Sequence, residues 1–374
     1  MGRGVLDLAV VGGGPAGLAV AIDGARRGLS VGVFERRAEG ADKACGEGVM
    51  PRGVEVLEQL GVRARLSPAA SSSFEGIRYI DADGACAEGH LAANGLAIRR
   101  VELVRAMAER AREVGAELHH GCALLSYRRS NGSMLLETDH GPFAARMLVG
   151  ADGLSSQLRR DEGLDIPCAR PHRFGLRRHF RCVPWTRSVE VHLATDTEAY
   201  VTPVSGDCVG VAFLWSEPSS ETPVRERDEL SSRWEHFERR FPLLAARLAG
   251  APPCSKIRGA GPLERAARAR TSDRFALVGD AGGYVDAITG DGISLSLVSA
   301  QALTRILPDA LLRGADRASL APYELEAARL FRRYALTTRA VLSIVRRPRL
   351  RRRLLVLLQR FPALFDTALT KAVG

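Results

Sequence analysis

Four residues near the start of the chain have the types and spacing that suit a dinucleotide. An apolar run from Val5 leads into Gly12, Gly14 and Gly17, and a second apolar run ends at Glu35. Gly12 would turn tightly out of a strand, Gly14 would let backbone approach a pyrophosphate, and Gly17 would let the next helix pack close to the sheet. The phosphates would lie on free N–H groups of a helix starting at Pro15 and Ala16, where the helix dipole favours negative charge. Glu35, at the end of the second strand, is placed to accept hydrogen bonds from an adenosine ribose, and Arg36 follows it in the same cofactor-facing set.

These residues need strand, helix and strand over the first 35 positions. Pro51 and Gly61 bracket a short helix, proline first and glycine last. Residues 74–88 alternate around Asp81-Ala-Asp-Gly and predict a hairpin. An amphipathic helix is expected over Val101–Val114, then strands near 117–129, 134–139 and 143–149, with turns at Asn131-Gly132 and His140-Gly141. From 172 to 216 longer alternating strands predict an inserted antiparallel sheet, and Arg225 to Leu248 reads as helix. Strand character returns at 255–263 and 275–278 before a long helix from about 291.

The net charge of +10 is concentrated at one end. Eleven arginines and no acidic residue lie between Ala327 and Phe365, and the rest of the chain is near neutral. Leu350, Leu354, Leu357, Leu358 and Phe361 recur there at helical spacing beside Arg351, Arg352 and Arg353. Such a helix lies on an anionic membrane, docks on an acidic partner, or is a solvated cap. No aromatic stacking residues accompany the charge, so nucleic acid is not expected. Seven scattered cysteines without a Cys-x-x-Cys pair predict neither a disulfide framework nor a metal site. No apolar run is long enough to span a membrane, and the first strand leaves no room for a leader, so a cytoplasmic location is expected, with the arginine-rich end as the point of any membrane association.

Two further motifs extend the first. Val149-Gly-Ala-Asp-Gly-Leu-Ser-Ser-Gln-Leu-Arg159 runs from a strand into a helix, and Phe275-Ala-Leu-Val-Gly-Asp-Ala-Gly-Gly-Tyr284 is followed, after Thr289, by Gly-Asp-Gly-Ile. The set resembles the flavoprotein hydroxylase superfamily typified by p-hydroxybenzoate hydroxylase, which also contains geranylgeranyl reductases and flavin-dependent halogenases. The resemblance implies an α/β fold: a Rossmann-type, GR2-like FAD-binding domain, an inserted antiparallel β-sheet substrate domain and a helical C-terminus. It places the discontinuous FAD-binding domain in 1–75, 95–170 and 255–310, the substrate sheet in 76–94 and 171–254, and the basic helical region in 311–374. It further implies that Gly12, Gly14, Gly17 and Glu35 hold the adenosine half of FAD, Arg100 the pyrophosphate, Asp152 and Gly153 the middle of the site, and Asp280 the ribityl chain. Gly290, Asp291, Gly292 and Ile293 would bring backbone amides to the pyrimidine end of the isoalloxazine.

Asp42-Lys-Ala-Cys-Gly-Glu-Gly-Val-Met-Pro51 resembles the Lys-x-Cys-Gly segment of geranylgeranyl reductases, which implies that Cys45 lies near the flavin and makes Glu47 a candidate proton donor. Ala199-Tyr-Val-Thr-Pro-Val204 departs from the Tyr-x-Trp-x-Phe-Pro of those reductases, and Trp185, Trp215 and Trp234 stand apart, unlike the halogenase motif. His179, His192, Tyr200 and Arg177 are the remaining candidates on the substrate sheet. No second Gly-x-Gly-x-x-Gly lies between 170 and 260, so NADPH or NADH would dock transiently as reductant. The expected function is an FAD-dependent monooxygenase of a hydrophobic aromatic or polyketide-like metabolite. The alternatives are a reductase of isoprenoid or lipid double bonds and a non-catalytic flavin-bound interaction protein.

Overall fold

A computed structural model describes residues 4–168, 172–217 and 227–373. The first half runs β1 (Leu6–Val11), α1 (Pro15–Arg26), β2 (Val31–Glu35), β3 (Gly48–Val49), α2 (Pro51–Gln59), β4 (Ser71–Asp81), β5 (Cys86–Ile98), α3 (Arg100–Glu113), β6 (Glu117–His120), β7 (Leu124–Ser130), β8 (Ser133–Thr138) and β9 (Gly141–Gly150). After α4 (Gln157–Asp161) and β10 (Asp165–Ile166) come β11 (His172–Arg181), β12 (Ser188–Leu193), β13 (Thr197–Ser205) and β14 (Cys208–Glu217). The remainder is α5 (Arg227–Glu238), α6 (Pro242–Leu248), β15 (Arg258–Ala260), β16 (Ala266–Ala267), β17 (Thr271–Ser272), β18 (Phe275–Leu277), α7 (Gly292–Leu312), α8 (Ala321–Val345), α9 (Pro348–Arg360) and α10 (Pro362–Val373).

The first sheet has the order β17-β18-β9-β1-β2-β6, with β7 and β8 joined to β9 as an antiparallel meander. β18, β9, β1, β2 and β6 are mutually parallel. Parallel strands covered on both faces read as continuous apolar runs, which is why Leu6–Val11 is unbroken by alternation. On one face α1, α3 and α7 pack over Leu8, Val10, Val31 and Val33; on the other Phe34, Met134, Leu136 and Phe143 fill the space under β7 and β8.

The second sheet has the order β15-β11-β14-β13-β12-β4-β5-β3. It is antiparallel except where β12 runs parallel to β4. Strand alternation gives it two different faces. Val191, Tyr200 and Leu214 look toward the loop over 284–288 and helices α8–α10, whereas Ala199, Val201, Phe213 and Trp215 pack under α5 and α6 against Trp234, Phe237 and Phe241. The predicted single helix over 225–248 is two helices, because Pro242 starts a new one after the turn at Phe241; Arg225 itself lies outside the described residues. Arg351, read from sequence as part of a solvated face, is buried: it donates to both carboxylate oxygens of Asp81, at 3.1 and 2.6 Å, and to the carbonyls of Ala194 and Val345. That contact fixes α9 to the hairpin between β4 and β5.

Candidate functional site

At the end of β1 the backbone has no room for side chains. Gly12 has φ +113°, and a Cβ there would fall 2.3 Å from the Ala151 carbonyl oxygen; a Cβ on Gly17 would fall 2.0 Å from the Gly12 oxygen. Gly14 is the N-cap of α1 and offers no side-chain cap, so the amides of the first turn stay open to an anion. Pro15 and Ala16 are buried in that turn. The Arg100 guanidinium reaches the same place, 3.1 Å from where a Gly14 Cβ would stand. Glu35 accepts from the Gly13 amide at 2.8 Å and from the Arg37 amide at 2.9 Å. An ionised carboxylate has lone pairs to spare for ribose hydroxyls beyond these two bonds. Arg36 is exposed beside it.

Two cations and an acid meet between the three motifs. Lys43 Nζ lies 2.9 Å from where a Cβ would stand on Gly153, whose φ is +82°. Burial and the nearby Arg100 lower the Lys43 pKa, while Asp280 opposes them. Burial raises the Asp280 carboxyl, and Lys43 and Arg100 pull it back. Asp152 accepts from the Leu158 amide through Oδ2 at 3.2 Å, but its buried Oδ1 has no partner. Open helix amides, converging cations, an acid for hydroxyls and an orphaned buried oxygen together fit a dinucleotide cofactor carrying a pyrophosphate. Lys43 was not among the cofactor residues read from sequence; its signals were its place in the Lys-x-Cys-Gly segment and its being a lysine in a chain otherwise rich in arginine.

Farther along the cleft, Gly290 has φ +68°, and Asp291, Gly292 and Ile293 open α7. The Asp291 carboxyl is pushed up to about 7 by burial, against the pull of Arg52 and Arg333. The preceding loop is tied to the second sheet. Asp286 accepts from Arg173 Nε at 2.8 Å, Arg173 donates also to Glu198 at 2.8 Å, and Tyr334 OH donates to the Asp286 carbonyl at 2.7 Å. Tyr200 OH donates to the Ile288 carbonyl at 3.2 Å.

The loop between β2 and β3 brings three of the sequence candidates together. Cys45 Sγ accepts from the Glu47 amide at 3.4 Å, and burial pushes the thiol up. Glu47 is buried and holds a φ of +62°, which a non-glycine residue adopts only when its surroundings enforce it. Here they do: one carboxylate oxygen accepts from the Arg100 amide at 3.0 Å and the other is bonded to His179 Nε2. Arg177 Nη1 lies 3.1 Å from His179 Nδ1. A guanidinium only donates, so Nδ1 carries the lone pair and a neutral ring bears its proton on Nε2, facing Glu47. Ser255 Oγ is 2.9 Å from the same Nδ1, and Arg177 also donates to Asp42 at 2.6 Å. Ser255 is half-buried, so Ser255, His179 and Glu47 form a chain from the surface inward. Ser255 carried no sequence signal because it belongs to no motif, and Asp42 only opens the segment that carries Lys43 and Cys45.

His192 is not brought to this place. It sits on the opposite face of the second sheet, in the register of Ala199, and pairs with buried Glu190 at 3.1 Å. It therefore leaves the candidate set. Among the described residues one group, Cys122, Asp139 and His140, has ligand atoms mutually within 4.8 Å. Asp139 Oδ1 there already accepts from the Ala123 amide at 2.8 Å.

A family model described as the FAD binding domain matches residues 5–337. Digeranylgeranylglycerophospholipid reductase 1 of Methanopyrus kandleri is 28% identical over 324 residues, which cover 82% of this chain and 81% of that protein. Rifampicin monooxygenase of Streptomyces venezuelae is 30% identical over 166 residues, 44% of this chain and 35% of that protein. Among solved structures, pqsL, a probable FAD-dependent monooxygenase from Pseudomonas aeruginosa, has the same fold, with a TM-score of 0.76 at 21% identity over 97% of this chain and 100% of that one.

Proposed function

The chain belongs to the FAD binding domain family, and from this premise we propose that it is an FAD-dependent monooxygenase of a hydrophobic aromatic or polyketide-like small molecule. The observation that carries the reading is the apolar, tyrosine-bearing face of the second sheet set against the loop that opens α7. Val191, Tyr200 and Leu214 on the sheet share one buried cluster with Met50, Leu263, Tyr284, Val285 and Ile288. These side chains pack on one another as core, and an apolar molecule admitted between the sheet and this loop would meet them, with the Tyr200 and Tyr284 hydroxyls to orient it.

Bound FAD would supply the electron transfer and oxygen chemistry, with NADPH or NADH as the transient reductant. The chain's own residues supply the rest. Gly12, Gly14, Gly17, Arg100 and Lys43 would hold the diphosphate, Glu35 the adenosine ribose and Asp280 the ribityl hydroxyls. The amides of Gly292 and Ile293, at the positive end of α7, would stabilise negative charge at the pyrimidine end. Arg177 holds His179 in the tautomer that faces Glu47, and Ser255 connects that pair to the surface. The three together would hold or move a proton for a substrate hydroxyl. The network also clamps the loop carrying Cys45 to the sheet.

A second reading, reduction of a carbon–carbon double bond, is favoured by the length of the match to the digeranylgeranylglycerophospholipid reductase. The same buried proton chain would serve it. Oxygen uptake with NADPH or NADH and a phenolic extract, followed by product mass, separates the two. A product heavier by one oxygen supports hydroxylation; a product gaining two hydrogens without oxygen consumption replaces it with reduction. Flavin that no nicotinamide reduces would sink both.

A further inference from the structure

We propose that the elbow between α9 and α10 is a docking surface for an anionic membrane. The inward side of α9 is spent on packing, with Arg351 and Leu355 buried against the second sheet. The outward side is not covered by any described element. Leu350, Leu357 and Phe361 are 44%, 45% and 48% exposed, and Leu364, at the start of α10, is 54% exposed. Helical periodicity places Leu350, Leu354, Leu357 and Phe361 along one edge of that outward arc and Arg349, Arg353 and Arg360 along the adjoining edge. Arg346 and Arg347 are exposed just before the helix. Arg352, to one side, pairs with Asp83.

Charge chooses the occupant. Arg351 and Arg352 are paired with Asp81 and Asp83, but among the described residues Arg346, Arg347, Arg349, Arg353 and Arg360 form no ion pair, so a second copy presenting the same face would bring like charge against like charge. The apolar edge excludes a purely ionic partner, because the exposed leucines and phenylalanine would stay in water. A lipid surface accepts both: apolar side chains enter the acyl boundary while arginine stems snorkel and their guanidinium groups meet phosphate. Pro348 and Pro362 start the two helices, and exposed Leu364 carries the apolar row past the break at Phe361. Among the described residues no helix is long and apolar enough to cross a membrane, so the attachment is peripheral.

The test is sedimentation of the flavin-loaded full chain with vesicles of phosphatidylcholine alone or with phosphatidylglycerol added. Binding is expected to the mixed vesicles, weakened by high salt. The combination Leu350→Ala, Leu357→Ala and Phe361→Ala, and separately Arg349→Gln with Arg353→Gln, should each lower the bound fraction about tenfold while the flavin absorbance stays unchanged. Deleting the C-terminal helices is a poorer test, since it would remove Phe365 and Leu369 and uncover the face of the second sheet on which they pack. No binding to the mixed vesicles overturns the proposal. Binding that falls with the arginines but not with the apolar set overturns it too, and points to an acidic polypeptide.

Discussion

Arg173→Met removes the cation that joins the loop before α7 to the second sheet. Arg173 is buried, and its Nε and Nη2 donate to Asp286 and Glu198, each at 2.8 Å, with two further contacts at 3.3 Å. Methionine fills much of the same volume but leaves two buried carboxyls without a counter-charge. Breaking a buried pair from one side costs about 3–5 kcal/mol, out of the roughly 5–15 kcal/mol that holds a typical domain together. The variant should fold with much of its margin gone. The loss should also depend on pH. Burial already raises the Glu198 carboxyl above its usual range, and Arg173 is the chief influence pulling it down. Without the arginine the folded state binds a proton more readily than the unfolded chain, so the variant is least affected in mild acid and loses stability as pH rises. Urea unfolding at mildly acidic and mildly alkaline pH reads both effects, and the triple change adding Asp286→Leu and Glu198→Leu should recover most of the loss. A loss below about 1 kcal/mol, the level of an exposed pair, or one equal at both pH values, would refute the reasoning.

Gly17→Ala should abolish stable flavin binding while leaving a folded chain, since its Cβ would meet the Gly12 oxygen at 2.0 Å; flavin absorbance after gel filtration reads it, and full occupancy would contradict the close approach. Asp280→Ala should lower flavin occupancy and speed its release on dilution, and unchanged retention would remove Asp280 from the ribityl role. Asp291→Asn should flatten a pH dependence: with the folded pKa raised to about 7, the native chain loses stability as pH rises toward neutrality, and the amide, which cannot ionise, does not. Thermal unfolding of both proteins on either side of neutrality checks this, and parallel curves would mean that Asp291 is not held protonated.

The sequence made the nucleotide unit readable because glycines there answer to backbone geometry alone. Gly12 and Gly17 have no alternative at those distances, so their spacing carries through to the structure. The hairpin around Asp81-Ala-Asp-Gly was legible for a similar reason, as Gly84 takes φ +87° at the turn between β4 and β5. The polar networks were not. Glu47, His179 and Ser255 are brought together by the packing of a loop on β11, and Arg173, Glu198 and Asp286 by the meeting of two strands and a loop. Neither has a periodicity to betray it. His192 shows the converse: it was a candidate as a histidine on the expected substrate sheet, but strand alternation sends it, with Glu190, to the face that packs under α5 and α6.

The parallel pairing of β4 with β12 sets the order of assembly. Register Gly76↔Ser188 through Asp81↔Leu193 joins strands from opposite sides of the middle motif. A growing chain therefore carries β4 with one edge unpaired through the synthesis of α3, β6 to β9 and β11. Non-local pairing of this kind slows folding and leaves a sticky intermediate. Neither half of the molecule is a self-sufficient unit, and expression of a fragment ending before β12 should give aggregates instead of a free nucleotide-binding module.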